Sequence, residues 1–143
     1  MKHYEASSVI AAPPEAVWDV LVDGSRYPEW DSGVTRIEGP IVDGGRIKAY
    51  AAVSPGRAFP VTVTLERPRV MSWTGGMPLG LFRGHRTFAL AGTPEGGTRF
   101  TMREEYTGPL LGLIWRSMPD LGPSFVQFVN GLKARAEAQQ PTP

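Results

Sequence analysis

Arg86 and Glu104 are unusual for the company they keep. Each sits in a run of alternating apolar residues, Arg86 two positions before Phe88 and Glu104 two positions after Met102. Residues two apart in a strand share a face, so both charges point the same way as the phenylalanines. A guanidinium and a carboxylate on an apolar face can anchor the polar end of a ligand. They can also do chemistry: Glu104 would move a proton while Arg86 stabilises an enolate, as aldol cyclisation or dehydration of a poly-carbonyl substrate requires. Either charge alone would be prohibitive to bury, so pairing or contact with water is required. A purely structural ion pair near the sheet rim fits the same residues equally well.

Other chemistry is thinly represented. The sequence has no cysteine, which removes disulfides, thiol catalysis and thiolate metal sites together. It has no His-Glu-x-x-His helix, glycine-rich phosphate loop or Gly-x-Ser-x-Gly elbow. Of the two histidines, His3 is terminal, and His85 neighbours Arg86 and therefore faces outward. A bulge at Gly84 would reverse that assignment. Neither a metal nor a cofactor is expected.

Composition bounds the remaining choices. With 143 residues, 41% hydrophobic and 20% charged, one globular domain over 1–143 with a real core is expected. Net charge is +1 from 15 basic and 14 acidic side chains, without the clustered basic face that nucleic acid needs. No apolar run reaches the roughly 20 residues of a membrane span, and Met1 to Tyr4 leads into an alternating segment rather than a signal-peptide core. A cytoplasmic location is the default expectation.

The elements that would position the pair follow from the rhythm of the chain. Tyr4 to Ala12 reads as a strand, and Pro13-Pro14-Glu15 opens a helix with Val17, Trp18, Val20 and Leu21 on its buried face. Asp23-Gly24 ends it, and Ser25 to Asp31 forms a short helical turn carrying Tyr27 and Trp30. From Val34 to Tyr106 the period is two, punctuated by glycine and proline turns, which predicts a meander of about six strands. Leu110 to Met118 is a short apolar helix, broken by Pro119 to Pro123. A final helix runs from Pro123 to about Ala138 with Phe125, Phe128, Val129 and Leu132 in phase, and residues 139–143 form a frayed tail.

Pairing like with like predicts register. Val53 opposite Phe59 places Ala49 across from Val63. Leu65 opposite Met71 places Val63 across from Trp73. Leu90 opposite Thr98 places Phe88 across from Phe100 and Arg86 across from Met102, with Glu104 diagonal to Arg86. Ala49 and Ala51 are small for a filled core, so room beneath the sheet is expected there. Trp73, Phe88, Phe100 and Phe125 suit an ordinary core at least as well as ligand contacts. Trp30 and Trp115, near element ends, suit a cavity mouth. Sequence parity shows no exposed apolar patch of the kind a client-binding module would need.

This order of elements resembles the START-like, or SRPBCC, superfamily, the helix-grip proteins of Bet v 1-like and polyketide cyclase/dehydrase type. The resemblance spans Ser8 to Glu137. It is carried by Ile10-Ala11-Ala12-Pro13-Pro14-Glu15-Ala16-Val17-Trp18, by Tyr27-Pro28-Glu29-Trp30, by Gly96-Gly97-Thr98-Arg99-Phe100 with Glu104, and by Gly131-Leu132-Lys133. It implies an α+β helix-grip fold, a curved antiparallel sheet wrapped around a long C-terminal helix. It also implies a cavity between them for a lipid, polyketide or quinone-like molecule. The expected lining is Trp30, Ala49, Ala51, Val63, Trp73, Phe88, Phe100, Met102, Trp115, Phe125 and Phe128, with Arg86 and Glu104 as polar groups. A non-catalytic hydrophobic-ligand binder is the leading expectation, and a polyketide cyclase/dehydratase using Glu104 and Arg86 the alternative.

Overall fold

The computed structural model describes residues 1–140. Seven antiparallel strands form one sheet in the order β1-β7-β6-β5-β4-β3-β2. They are β1 (Lys2–Ile10), β2 (Val34–Glu38), β3 (Arg46–Ala51), β4 (Ala58–Glu66), β5 (Val70–Met77), β6 (Phe82–Gly92) and β7 (Thr98–Thr107). The helices are α1 (Pro14–Leu21), α2 (Leu111–Ser117) and α3 (Gly122–Ala138), with a 3-10 helix over Gly24–Glu29. Strands β2 to β7 are the expected six-strand meander, and β1 closes the sheet by pairing along β7 from Lys2↔Tyr106 to Ile10↔Thr98. The sheet curls into a half-barrel around α3, which is the helix-grip architecture. Of the frayed tail expected over 139–143, residues 141–143 lie outside the described residues.

Local chemistry explains where the helices sit. Pro14 occupies the first turn of α1, where its missing N–H breaks no helical hydrogen bond. Val17, Trp18, Val20 and Leu21 then bury one face of that helix. In α3, Pro123 stands in the first turn and the Gly122 N–H donates to Asp120 Oδ1 at 2.9 Å. Phe125, Phe128, Val129, Leu132 and Ala136 form its buried stripe at helical spacing.

A short seam sets the position of α3. Gly131 passes so close to the 3-10 helix and its exit that a Cβ there would lie 2.2 Å from the Asp31 carbonyl oxygen. Toward the C-terminal end, Glu137 accepts from the Ala11 N–H at 2.8 Å and from Lys133 Nζ at 2.6 Å. Lys133 Nζ also donates to the Val9 carbonyl at 2.8 Å, and Arg135 pairs with Glu29 at 2.9 Å. Together these contacts bind the C-terminal half of α3 to the β1–α1 passage and to the 3-10 helix.

Two expected registers need correction, and both keep the expected faces. The β3–β4 hairpin pairs Ile47 with Val61 and Ala49 with Phe59, four residues from the like-with-like register. Its connection is longer because the segment between the strands folds on itself: the Ser54 N–H donates to Ala51 O, the Arg57 N–H donates to Ser54 O, and Gly56 takes a positive φ of 75°. The β6–β7 hairpin pairs Leu90 with Phe100, Phe88 with Met102 and Arg86 with Glu104, two residues from expectation. Here Thr93 tightens the turn, its N–H donating to Gly97 O and its hydroxyl accepting from the Gly97 N–H. The β4–β5 register, with Leu65 opposite Met71 and Val63 opposite Trp73, is as expected.

Two stability effects follow from the seam. Gly131→Ala should cost about 1–3 kcal/mol in denaturant unfolding, because backbone on the other side cannot yield as a flexible side chain would. Hydrogen bonds from Ala11 and Lys133 hold the Glu137 carboxyl below its ordinary range. A depressed native value stabilises the fold above the unfolded value, and that contribution is lost as pH falls through the native one. Glu137→Gln should therefore cost about 1 kcal/mol at neutral pH and converge with the parent protein in acid. Parallel stability curves across that pH range would contradict the assignment.

Candidate functional site

The inner face of the sheet carries Met71 and Trp73 on β5, Phe88 on β6, and Phe100 and Met102 on β7, all buried. Phe125 and Phe128 descend onto them from α3. Phe128 meets Phe88 at 5.7 Å between ring centroids and Phe100 at 6.5 Å, and Trp73 meets Phe88 edge-on at 5.0 Å. Such offset and edge-to-face contacts stabilise the cluster beyond simple burial.

Arg86 and Glu104 face each other directly within this aromatic wall. Arg86 Nε donates to Glu104 Oε1 at 3.0 Å. The guanidinium carbon lies 4.8 Å from the Phe125 ring centroid, which places the cation against an aromatic face. Burial opposes the Arg86 charge, but the neighbouring Glu104 carboxylate holds its ionisation above the ordinary value. The pair is not sealed: the two side chains keep 21% and 15% of their surface accessible. It is therefore neither a surface salt bridge nor a fully buried one.

A third polar group joins them. Tyr106 lies two residues beyond Glu104 on the same face, opposite Gly84. Gly84 is a notch beneath both: a Cβ there would stand 3.6 Å from Tyr106 Cε1 and 3.7 Å from the Glu104 carboxyl. The Tyr106 hydroxyl is buried and has no hydrogen-bond partner in the protein. Burial and then the adjacent Glu104 charge push its ionisation far up, so it remains a protonated donor. Tyr4, opposite Glu104 on β1, and Trp115 on α2 complete this end, stacking at 5.4 Å. Trp115 also meets Tyr106 at 5.6 Å.

The expected lining residues fall into three groups. Arg86, Glu104, Trp73, Phe88, Met102, Phe125 and Trp115 gather around the ion pair, with Phe100, Phe128 and Val63 in the adjoining core. Trp30 is placed elsewhere, between Tyr27 and Phe128 with both rings at 5.2 Å, and its buried Nε1 has no partner. Ala49 and Ala51 lie on β3, separated from β6 by β4 and β5. Two open depressions, of about 360 and 300 Å³, lie outside the space between sheet and α3. One lies on the outer sheet face at Arg69, Ala89 and Arg99, and the other between α1 and α3 at Asp19 and Arg135. The space beneath the inner face is filled by side chains, with the 3-10 helix packed over β2.

Parity places Tyr106 beside Glu104, but sequence reasoning stopped at the charges and missed the phenol. His85 faces outward as expected, with Nδ1 2.7 Å from the Thr74 hydroxyl and no bulge at Gly84. Among the described residues no cluster of side chains could hold a metal ion, and no helix is long and apolar enough to cross a membrane.

Fold and site together define a helix-grip protein with a polar group set into an aromatic interior. Residues 1–137 match the family described as polyketide cyclase / dehydrase and lipid transport, and the chain belongs to that family. A hypothetical protein of Helicobacter pylori is similar in structure at a TM-score of 0.74 and 14% identity, with 94% of this chain and 88% of that one covered. The TTHA0849 protein of Thermus thermophilus gives 0.72 at 21% identity, covering 98% and 100%. The ZhuI aromatase/cyclase of Streptomyces gives 0.71 at 16% identity, covering 96% and 94%. No curated protein sequence matches significantly.

An unpartnered buried hydroxyl contributes nothing to folding that a hydrogen would not. Tyr106→Phe should leave unfolding free energy unchanged within about 0.5 kcal/mol, or raise it. A loss above about 1 kcal/mol would show that the hydroxyl is bonded to Glu104 or Arg86 in solution.

Proposed function

We propose that this protein binds a small hydrophobic molecule bearing oxygen groups in the interior between the sheet and α3. The observation that carries this reading is the half-hidden Arg86–Glu104 pair in an aromatic wall, with a spare phenolic donor beside it. Apolar sites with a few convergent polar groups are how proteins hold such molecules. The apolar body of the ligand would lie against Trp73, Phe88, Met102 and Phe125, and its oxygen end at Arg86, Glu104 and Tyr106. The interior is packed, so admission would require α2 and the first turn of α3 to move aside. The Pro119 to Pro123 break between those helices is the natural place for that movement.

The same residues support a second reading as a polyketide cyclase or dehydratase. The family description and the aromatase/cyclase among the structural neighbours favour it. Glu104 would take a proton from a methylene between two carbonyls, and Arg86 and Tyr106 would hold the enolate oxygen. The fold hosts binders and enzymes alike, so the site rather than the fold must decide.

Native mass spectrometry of the freshly purified protein, with extraction of any bound molecule, tests the first reading. A co-purifying apolar ligand is the expected result. An empty protein that also fails to enhance a hydrophobic dye would refute it. Removing one partner of the pair leaves a buried charge, so the variant for comparison is Arg86→Met with Glu104→Gln, which keeps the fold while removing both charges. Ligand affinity should drop about tenfold or more in that double variant, which corresponds to about 1.4 kcal/mol or more. Turnover of a poly-carbonyl substrate that vanishes in Glu104→Gln, while binding persists and a circular dichroism melt shows the variant folded, would establish the enzyme.

A further inference from the structure

One end of the half-barrel carries apolar side chains that the fold does not use. Strands β3, β5 and β7 all run toward this end, so the β3–β4 turn, the β5–β6 turn and the start of α2 lie side by side there. The Leu110 N–H donates to Leu81 O at 3.0 Å, which joins the last two. Leu79 stands at the tip of the β5–β6 turn with 96% of its surface exposed, and Leu113 on α2 is 67% exposed. Met77 at the end of β5, Phe59 at the start of β4 and Val53 in the β3–β4 turn are exposed as well. Leu79 also has left-handed backbone angles, φ 62° and ψ 22°, which disfavour a non-glycine residue. A glycine would suit that turn better, so folding does not account for a leucine fully in water.

Unpaired cations outnumber carboxylates around these tips. Arg57, Arg83 and Arg116 are exposed at this end, and Lys2 Nζ lies 5.7 Å over the Trp115 ring. Among the described residues none of the four makes a salt bridge. The exposed carboxylates nearby are Asp120, which accepts from the Gly122 N–H, and Asp31, which accepts from Gln127 Nε2. The whole chain is almost neutral at +1, so this end is locally basic.

We propose that this rim docks on an anionic lipid surface, with Leu79 and Leu113 entering the boundary between headgroups and acyl chains. The apolar residues are spread over the β3–β4 hairpin, the β5–β6 hairpin and α2, and Arg57, Arg83 and Arg116 lie among them. That pattern suits penetration of a layer with a negative surface potential. A protein partner would instead be met by a contiguous apolar patch with a polar rim. The inference is independent of the ligand reading, because docking is measured with no ligand present.

Vesicle co-sedimentation of the full chain tests it. Vesicles of phosphatidylcholine mixed with phosphatidylglycerol should bind the protein, and phosphatidylcholine alone should bind it much more weakly. Leu79→Asp should weaken binding about tenfold, the worth of a partly buried leucine. Arg57→Gln and Arg116→Gln should each weaken it about fivefold, with added salt acting in the same direction. Val9→Asp, an exposed apolar position near the other end of the sheet, should bind like the parent protein. These side chains are exposed, so a circular dichroism melt confirms that each variant folds. Equal binding by the parent and Leu79→Asp, or equal binding to both vesicle types, would overturn the proposal. Capture of an acidic protein through this rim with no vesicle binding would overturn it in favour of a protein partner.

Discussion

The close approach of α3 to the exit of the 3-10 helix governs much of the rest of the molecule. The distance between α3 and the segment that leaves the 3-10 helix is set where backbone meets backbone. Here that point is Gly131 against the Asp31 carbonyl, a contact that leaves no volume for a methyl group. Once the helix is set at that distance, its stripe of Phe125, Phe128 and Leu132 must fall on the inner face of the sheet. The ion-paired seam of Lys133 and Glu137 with Val9 and Ala11 then fixes its rotation. One glycine and two charged side chains outside the aromatic interior thus help to fix the helix that closes it.

Within that interior the Arg86–Glu104 pair is expensive to keep. Charges taken out of water need strong compensation, and apolar replacements of similar size are often at least as stable. Compensation here comes from a direct hydrogen bond, a Phe125 ring face and residual access to solvent. Tyr106 adds a third polar group, a buried hydroxyl beside Glu104 and Arg86. Three polar groups therefore meet at one end of an otherwise apolar cluster, two of them paired with each other.

Much of this was legible in the sequence, for a definable reason. Element order, proline-led helices and the inward parity of Arg86, Phe88, Phe100 and Glu104 depend on local rules of period and turn chemistry. Exact pairing was not legible, because shifting a hairpin by two or four residues leaves every side chain on its original face. Like-with-like matching therefore could not separate Arg86 opposite Met102 from Arg86 opposite Glu104. The deciding facts were the internal hydrogen bonds of the Thr93–Gly97 and Ala51–Arg57 turns. Ala49 and Ala51 misled for a related reason. Small side chains on β3 imply space only when a large element lies beneath them, and α3 lies instead toward β1. The exposed tips at Leu79 and Leu113 were invisible to parity because they belong to turns and a short helix, where period two has no meaning.

The restraints on α3 are unevenly distributed along its length. From Gly131 onward the helix is held by backbone contact, by Glu137 bridging to Ala11, and by Arg135 reaching Glu29. Before Gly131 it is held by packing of Phe125 and Phe128 and by one exposed hydrogen bond from Gln127 to Asp31. Apolar packing is non-directional, and a bound apolar molecule can replace it. Directional contacts to backbone cannot be replaced that way. The wall around the inner face is therefore least restrained by directional contacts at α2 and the first turns of α3. The same end exposes Trp115 beside Tyr4 and Tyr106, and leads directly to the Arg86–Glu104 pair.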